Sequence, residues 1–170
     1  MNFEDYIEAK EAYENKENVT SILKKRLKVN FNTPEIILAA YDLQAGTYSK
    51  DANDRPGFYE ARAEEVCNFI DSNIANIESM LDVGSGELTM FGRVASHLSS
   101  KSEIHFYATD ISLSRLTVGR NHLAPLLDIV QSIDLIVADT AKLPFATKSV
   151  DIVTTDHSLE PNGGRLSQVL

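Results

Sequence analysis

From about residue 61 onward, the chain alternates between short apolar runs and amphipathic segments with helical spacing. The apolar runs predict strands at 80–83, 104–109, 134–138 and 149–154, and the segments between them predict helices at 89–98 and 113–122. A further amphipathic helix precedes the first strand, because Val66, Phe69, Ile70, Ile74 and Ile77 recur at helical spacing. Continuous apolar strands that alternate with helices are typical of a parallel sheet buried on both faces. Right-handed crossovers would place the first strand centrally.

The first 59 residues are more polar and predict a helical arm. Helices are expected at 3–13 and 20–29, and a third is expected to begin at Thr33, because threonine caps helices and Pro34 suits the first turn. Turn-forming residues between 49 and 57 predict a loop. We therefore expect two regions, an arm over 1–59 and an α/β core over 60–170.

The junction between the first core strand and its helix carries the most informative motif. The run Leu81–Glu87 reads Leu-Asp-Val-Gly-Ser-Gly-Glu, which places an apolar strand directly before a glycine turn. The glycines let the backbone approach a ligand, and the following helix offers free N–H groups. The second strand ends on Asp110, whose carboxylate can accept from two ribose hydroxyls. A helix-capping role for Asp110 is the alternative.

The end of the third strand offers a similar group. Asp139 follows an apolar run and can accept from an exocyclic adenine amine, while the backbone N–H of Thr140 can donate to the ring. A simple turn role for Asp139 is the alternative. These features together predict a Rossmann-like nucleoside pocket.

This set of motifs resembles class I S-adenosylmethionine-dependent methyltransferases, in particular the branch that acts on small molecules. The resemblance covers about 61–161. It implies that Asp82, Gly84, Ser85 and Gly86 belong to the turn that wraps the methionine and ribose part of S-adenosylmethionine. It also implies that Asp110 binds the ribose, that Ile111 lies beside the adenine, and that Asp139 and Thr140 meet the adenine edge.

The same resemblance suggests roles outside the glycine turn. Segments before the first motif often form a lid in this family, so Tyr48 is a candidate to stabilise the sulfonium by cation–π attraction. Packing of Tyr41 and Tyr48 onto the sheet is the competing interpretation. Methyl transfer requires mainly positioning of donor and acceptor. If the acceptor needs a base, His157 is the first candidate and Glu160 the second.

The sequence departs from the family in two places. Leu88 stands where a third glycine is common, which narrows the turn without forbidding binding. The family fold adds further strands after the fourth, so an apolar edge at 150–153 would be left unpaired. We expect a fragment or a naturally short form, or else a partner or second copy that covers this edge.

Composition narrows the remaining possibilities. The net charge of −9 argues against a general nucleic-acid binder. The single cysteine, Cys67, excludes a disulfide framework, and the histidines show no metal-ligand spacing, so no metal site is expected. No apolar run approaches a membrane span and the start lacks a secretory pattern, which together favour a cytoplasmic protein.

Two other functions fit parts of the pattern. A nicotinamide-dependent oxidoreductase also has a glycine turn, but its G-x-G-x-x-G motif would need glycine where Thr89 stands. Asp110 also lies later than the roughly 20 residues typical of that motif. A non-catalytic cofactor-binding or scaffold subunit, completed by a partner, is the second alternative.

Overall fold

The computed structural model describes residues 1–99, 103–126 and 132–158. Its centre is a four-stranded parallel sheet in the order β3-β2-β1-β4. The strands are β1 (Ser79–Val83), β2 (His105–Asp110), β3 (Ser132–Val137) and β4 (Ile152–Thr154). The central position predicted for the first strand is confirmed, since β1 pairs with both β2 and β4.

The described part of the chain also contains seven α-helices. They are α1 (Phe3–Glu14), α2 (Val19–Leu27), α3 (Pro34–Leu43), α4 (Thr47–Asp54), α5 (Pro56–Asn73), α6 (Thr89–Ser99) and α7 (Leu113–Gly119). A 3₁₀ helix, Arg120–Leu126, continues from α7 where an α-helix to residue 122 was predicted. The predicted domain boundary at residues 59 and 60 falls inside α5.

The main core lies on one face of the sheet. Register pairs Met80 of β1 with Phe106 of β2 and Ile152 of β4, and all three are buried. They pack with residues of α5, α6, α7 and the 3₁₀ helix, including the buried Cys67. On the other face, Tyr107 meets Phe145 edge to face, with ring centroids 5.1 Å apart. Side chains therefore pack on both faces of the sheet.

The arm has a smaller core of its own, made by α1, α2 and α3 around Leu23 and Ile36. Local sequence explains its helix starts. The side chain of Asn2 accepts from the backbone N–H of Asp5, whose carboxylate accepts from the backbone N–H of Asn2 in return. Thr33 caps α3, with Pro34 in its first turn, as predicted. The predicted N-terminal helical arm is confirmed.

The prediction of a loop at 49–57 is wrong. The segment forms most of α4 and the start of α5, which are separated only by Arg55. Its Asp and Asn residues are typical of turns, but the N-terminus of α4 is stabilised by Glu87, which is distant in sequence. Pro56 is acceptable because it occupies the first turn of α5, where its missing N–H costs no helical bond.

The edge strand β4 is shorter than the predicted 149–154. The carboxylate of Asp151 accepts from the backbone N–H groups of Glu78 and Ser79, so strand pairing begins only after it. Val153 is 58% exposed, and coverage of this edge by a partner stays a prediction. No helix in the described ranges is both long and apolar enough to span a bilayer.

Candidate functional site

The site is built on the turn that connects β1 to α6. Gly84 and Gly86 both adopt positive φ, +73° and +54°, a conformation that glycine tolerates best. The backbone N–H of Ser85 donates to the carbonyl of Thr109 at 2.8 Å, which fixes the turn against the end of β2. The predicted glycine turn therefore lies between the two central strands.

Two buried carboxylates flank this turn. Asp110 is 5% exposed and accepts from the backbone N–H of Gly86 at 2.9 Å and of Ser112 at 2.8 Å. The alternative that Asp110 caps a helix is wrong, because the N-cap of α7 is Ser112, whose hydroxyl accepts from the backbone N–H of Arg115. Asp82 accepts from the hydroxyl of Thr154 at 2.8 Å. Burial raises the pKa of Asp82 to about 6, against the effect of that hydrogen bond.

A cavity of about 280 Å³ opens over the turn, between the sheet and the arm. All nine residues predicted to bind the cofactor line it, namely Asp82, Gly84, Ser85, Gly86, Asp110, Ile111, Asp139, Thr140 and Tyr48. They come from the ends of β1, β2 and β3 and from the arm. The structure therefore brings together groups that are separated by up to about ninety residues of sequence.

The lining of this cavity contains more carboxylates than arginines. Three lining arginines each pair with a carboxylate: Arg55 with Asp51, Arg62 with Asp156 and Arg115 with Glu87. Among the described residues, no ion pair involves the two remaining buried carboxylates, Asp82 and Asp110. A pocket with this balance favours a ligand that carries positive charge.

Comparison with known proteins agrees with this geometry. The family described as "Methyltransferase domain" matches residues 81–161. Residues 81–161 are therefore similar to a methyltransferase domain. The predicted resemblance and the Rossmann-like fold class are confirmed, since solved methyltransferases share the fold. No curated protein matches the sequence.

The similar solved structures are distant in sequence. The magnesium protoporphyrin IX methyltransferase of Synechocystis PCC 6803 with bound S-adenosylmethionine is 14% identical, with a TM-score of 0.58 over 82% of this chain and 71% of its own. An amino pentose methyltransferase of calicheamicin biosynthesis from Micromonospora echinaspora, also with bound S-adenosylmethionine, is 17% identical, with a TM-score of 0.55 over 72% of this chain. This chain spans 47% of that enzyme, about half of its length.

Of the two candidates for a catalytic base, only His157 lies among the described residues. His157 lines the cavity with positive φ, and its side chain is 65% exposed. Its Nε2 lies 3.7 Å from Oδ1 of Asp156, which also pairs with Arg62. Glu160 lies outside the described residues. The base role of His157 therefore has a suitable position but stays a prediction.

Tyr48 lines the cavity, but a cation of the chain already contacts one face of its ring. The guanidinium of Arg115 lies 4.8 Å from the ring centroid of Tyr48 and 4.8 Å from that of Tyr41. The two tyrosines thus pack the arm onto α7 through a cation–π contact. This supports the packing interpretation and leaves the sulfonium role of Tyr48 as a prediction.

Sequence reasoning missed Glu87 and Arg115. Glu87 is 1% exposed and Arg115 is 7% exposed, and both line the cavity. Glu87 directly follows the glycine turn, which was a usable signal, but an acidic residue there is usually assumed to face solvent. Arg115 lies one turn into a predicted helix, and nothing local distinguishes it from a surface arginine.

Proposed function

We propose that the chain binds S-adenosylmethionine in this cavity and transfers its methyl group to a small-molecule acceptor. The observation that carries the proposal is the pair of buried carboxylates, Asp82 and Asp110, on either side of a positive-φ glycine turn. S-adenosylmethionine supplies a methyl group on a positively charged sulfonium, already activated for in-line displacement.

The residues present fit this ligand in charge. Asp82 and Asp110 have no cationic partner among the described residues, so a sulfonium and an ammonium would be favourable neighbours. The pyrophosphate of a nicotinamide cofactor would instead add negative charge beside Asp82, Asp110 and Asp139. The charge balance therefore supports the methyl donor over the dinucleotide.

Each part of the site has a distinct proposed task. Asp110 accepts from the ribose hydroxyls with the lone pairs that its two backbone hydrogen bonds leave available. Asp139 and Thr140 meet the adenine edge, and Ile111 packs beside the ring. Gly84, Ser85 and Gly86 admit the methionine portion close to the backbone, where Asp82 faces its positive charge.

Calorimetric titration tests the proposal with three ligands. We expect S-adenosylmethionine to bind most tightly, S-adenosylhomocysteine to bind less tightly because it lacks the sulfonium charge, and NAD⁺ not to bind. An Asp134→Asn variant should bind all three ligands as the wild-type protein does, because Asp134 is an exposed carboxylate on β3 away from the cavity. Binding of NAD⁺ without binding of S-adenosylmethionine would show the proposal to be wrong.

For the acceptor, we infer a small molecule that enters beside His157. Transfer of labelled methyl groups to a panel of hydroxyl, amine and carbon acceptors would identify the class.

If His157 is the base, His157→Gln lowers kcat by about 10²-fold or more with little change in cofactor affinity, and the acidic limb of the pH profile disappears. An unchanged pH profile would remove His157 from the mechanism. His105→Gln, on the surface of β2, is the matched control.

A further inference from the structure

The N-terminus of α4 is capped by a residue from the cofactor turn. The carboxylate of Glu87 accepts from the backbone N–H groups of Gly46 at 3.0 Å, Tyr48 at 3.4 Å and Ser49 at 2.7 Å. These donors belong to the first turn of α4, whose own cap position, Gly46, has no side chain to accept from them. A buried carboxylate here satisfies unpaired N–H groups and the positive end of the helix dipole. The arm thus depends on a residue 38 to 41 positions away for this helix start.

Arg115 connects the same turn to the same helix. Its Nε lies 3.9 Å from Oε1 of Glu87, and its Nη2 lies 2.5 Å from where a β-carbon on Gly86 would stand. The guanidinium also contacts the rings of Tyr41 and Tyr48. A continuous series of contacts therefore runs from the second glycine through the buried Glu87–Arg115 ion pair to the two tyrosines of the arm.

A second connection begins beside the ribose carboxylate. The hydroxyls of Ser112 and Ser114 each donate to Oδ1 of Asp42 at 2.5 Å, which ties the end of α3 to the start of α7. The backbone N–H of Ser112 donates to Asp110. Both attachments of the arm thus begin within a few residues of groups that contact the ligand in our proposal.

We propose that Glu87 is a positioning residue that couples ligand occupancy of the turn to the seating of α4. By seating we mean the packed position of α4 over the cavity, with its first N–H groups bonded to Glu87. This inference rests on the proposed function. A ligand that holds the turn in place also holds the Glu87 carboxylate where α4 needs it. In return, only protein with α4 seated binds the ligand well. The apparent affinity is therefore reduced in proportion to the fraction of molecules in which α4 is seated.

Two variants approach this contact from opposite sides. Glu87→Gln keeps the shape of the side chain and removes its charge. Gly46→Ala acts from the arm, where a β-carbon meets no atom within 4 Å but the φ of +99° strains any other residue. Glu103→Gln, an exposed carboxylate before β2, is the charge-matched control. Calorimetry with S-adenosylmethionine measures affinity, and amide hydrogen exchange over 46–54 measures the seating of α4.

We expect S-adenosylmethionine to slow exchange over 46–54 in the wild-type protein. Glu87→Gln should speed this exchange without ligand and raise the Kd about tenfold, the usual effect of losing charge-assisted hydrogen bonds. Gly46→Ala should act in the same direction, and the double variant should bind about as well as Glu87→Gln alone, because both remove one contact. Glu103→Gln should behave as wild type.

Several results would overturn the coupling. These are a wild-type Kd in Glu87→Gln, additive losses in the double variant, or exchange over 46–54 that does not respond to the ligand. If wild type binds S-adenosylmethionine and one of these occurs, only the coupling is wrong. If wild type does not bind the ligand at all, the proposed function is wrong and the coupling falls with it.

Discussion

Ser158 packs directly against Gly84. The hydroxyl of Ser158 donates to the carbonyl of Val83 at 2.9 Å, and its Cβ lies 2.1 Å from the position that a β-carbon on Gly84 would occupy. The residue after His157 thus closes one side of the turn where β1 ends. The first glycine of the motif is required by this neighbour as well as by its backbone conformation.

Gly84→Ala should therefore destabilise the protein by roughly 2–4 kcal/mol, from a positive-φ alanine and an overpacked contact. Ser158→Gly in the same chain should recover the steric part and leave the smaller backbone part. Gly57→Ala is the control, since Gly57 lies in α5 with open space around it, and it should be neutral or stabilising by up to about 1 kcal/mol. Urea unfolding measures all three. No recovery by Ser158→Gly would contradict the steric explanation.

The raised pKa of Asp82, about 6, predicts opposite effects of one substitution on stability and binding. Between pH 4 and 6 the folded protein keeps a proton that the unfolded chain has released, so stability falls as pH rises and levels off above about 6. Asp82→Asn retains an acceptor for Thr154 and removes the buried charge. It should stabilise the protein by about 2 kcal/mol at pH 7.5 and by little at pH 4.5. Equal effects at both pH values in urea unfolding would contradict this.

The same carboxylate predicts how ligand affinity depends on pH. A positively charged ligand favours ionised Asp82, so binding below pH 6 must release a proton. The Kd for S-adenosylmethionine should therefore rise up to about tenfold for each pH unit below 6. Asp82→Asn should weaken binding at pH 7.5 and remove this dependence. Calorimetry from pH 5 to pH 8 provides the measurement, with S-adenosylhomocysteine as the ligand that lacks the sulfonium charge.

Asp110 predicts selectivity for the ribose hydroxyls. Asp110→Asn should weaken S-adenosylhomocysteine binding about thirtyfold, because hydrogen bonds to a charged group are lost. A more specific comparison uses the 2′-deoxy analogue, which wild type should bind more weakly than the parent compound. The variant should discriminate far less between the two. Retained discrimination would mean that another residue recognises the ribose.

The sheet and the nucleoside pocket could be predicted because their signals are local. Apolar runs that alternate with helices determine a parallel sheet, and parallel strands bring their carboxyl ends to one edge. The four residues that illustrate this each lie within two positions of a strand end, namely Asp82, Gly84, Asp110 and Asp139. Their convergence on one cavity therefore follows from the strand order alone.

The attachment of the arm could not be predicted, because it depends on pairs that are distant in sequence. The helix α4 has no capping side chain of its own, so its composition predicted a loop, and only the carboxylate of Glu87 reverses that prediction. The local sequence around Arg115 predicts an exposed residue on the surface of a helix, whereas the structure buries it. Its burial follows from two tyrosines about seventy positions earlier in the chain.

Asp5 in the arm gives a last prediction, for acid stability. Its carboxylate accepts from the backbone N–H of Asn2 at 2.8 Å and from Nε of Arg26 at 3.0 Å, and these bonds lower its pKa. A lowered pKa contributes stability that is present above the unfolded-state value, about 4, and is lost as pH falls through the folded-state value. Asp5→Asn should therefore lower the urea midpoint at pH 7, and the difference from wild type should shrink toward pH 3. Glu11→Gln, exposed on the same helix, should change the midpoint little at either pH. A difference that persists undiminished at pH 3 would show that Asp5 acts through packing rather than charge.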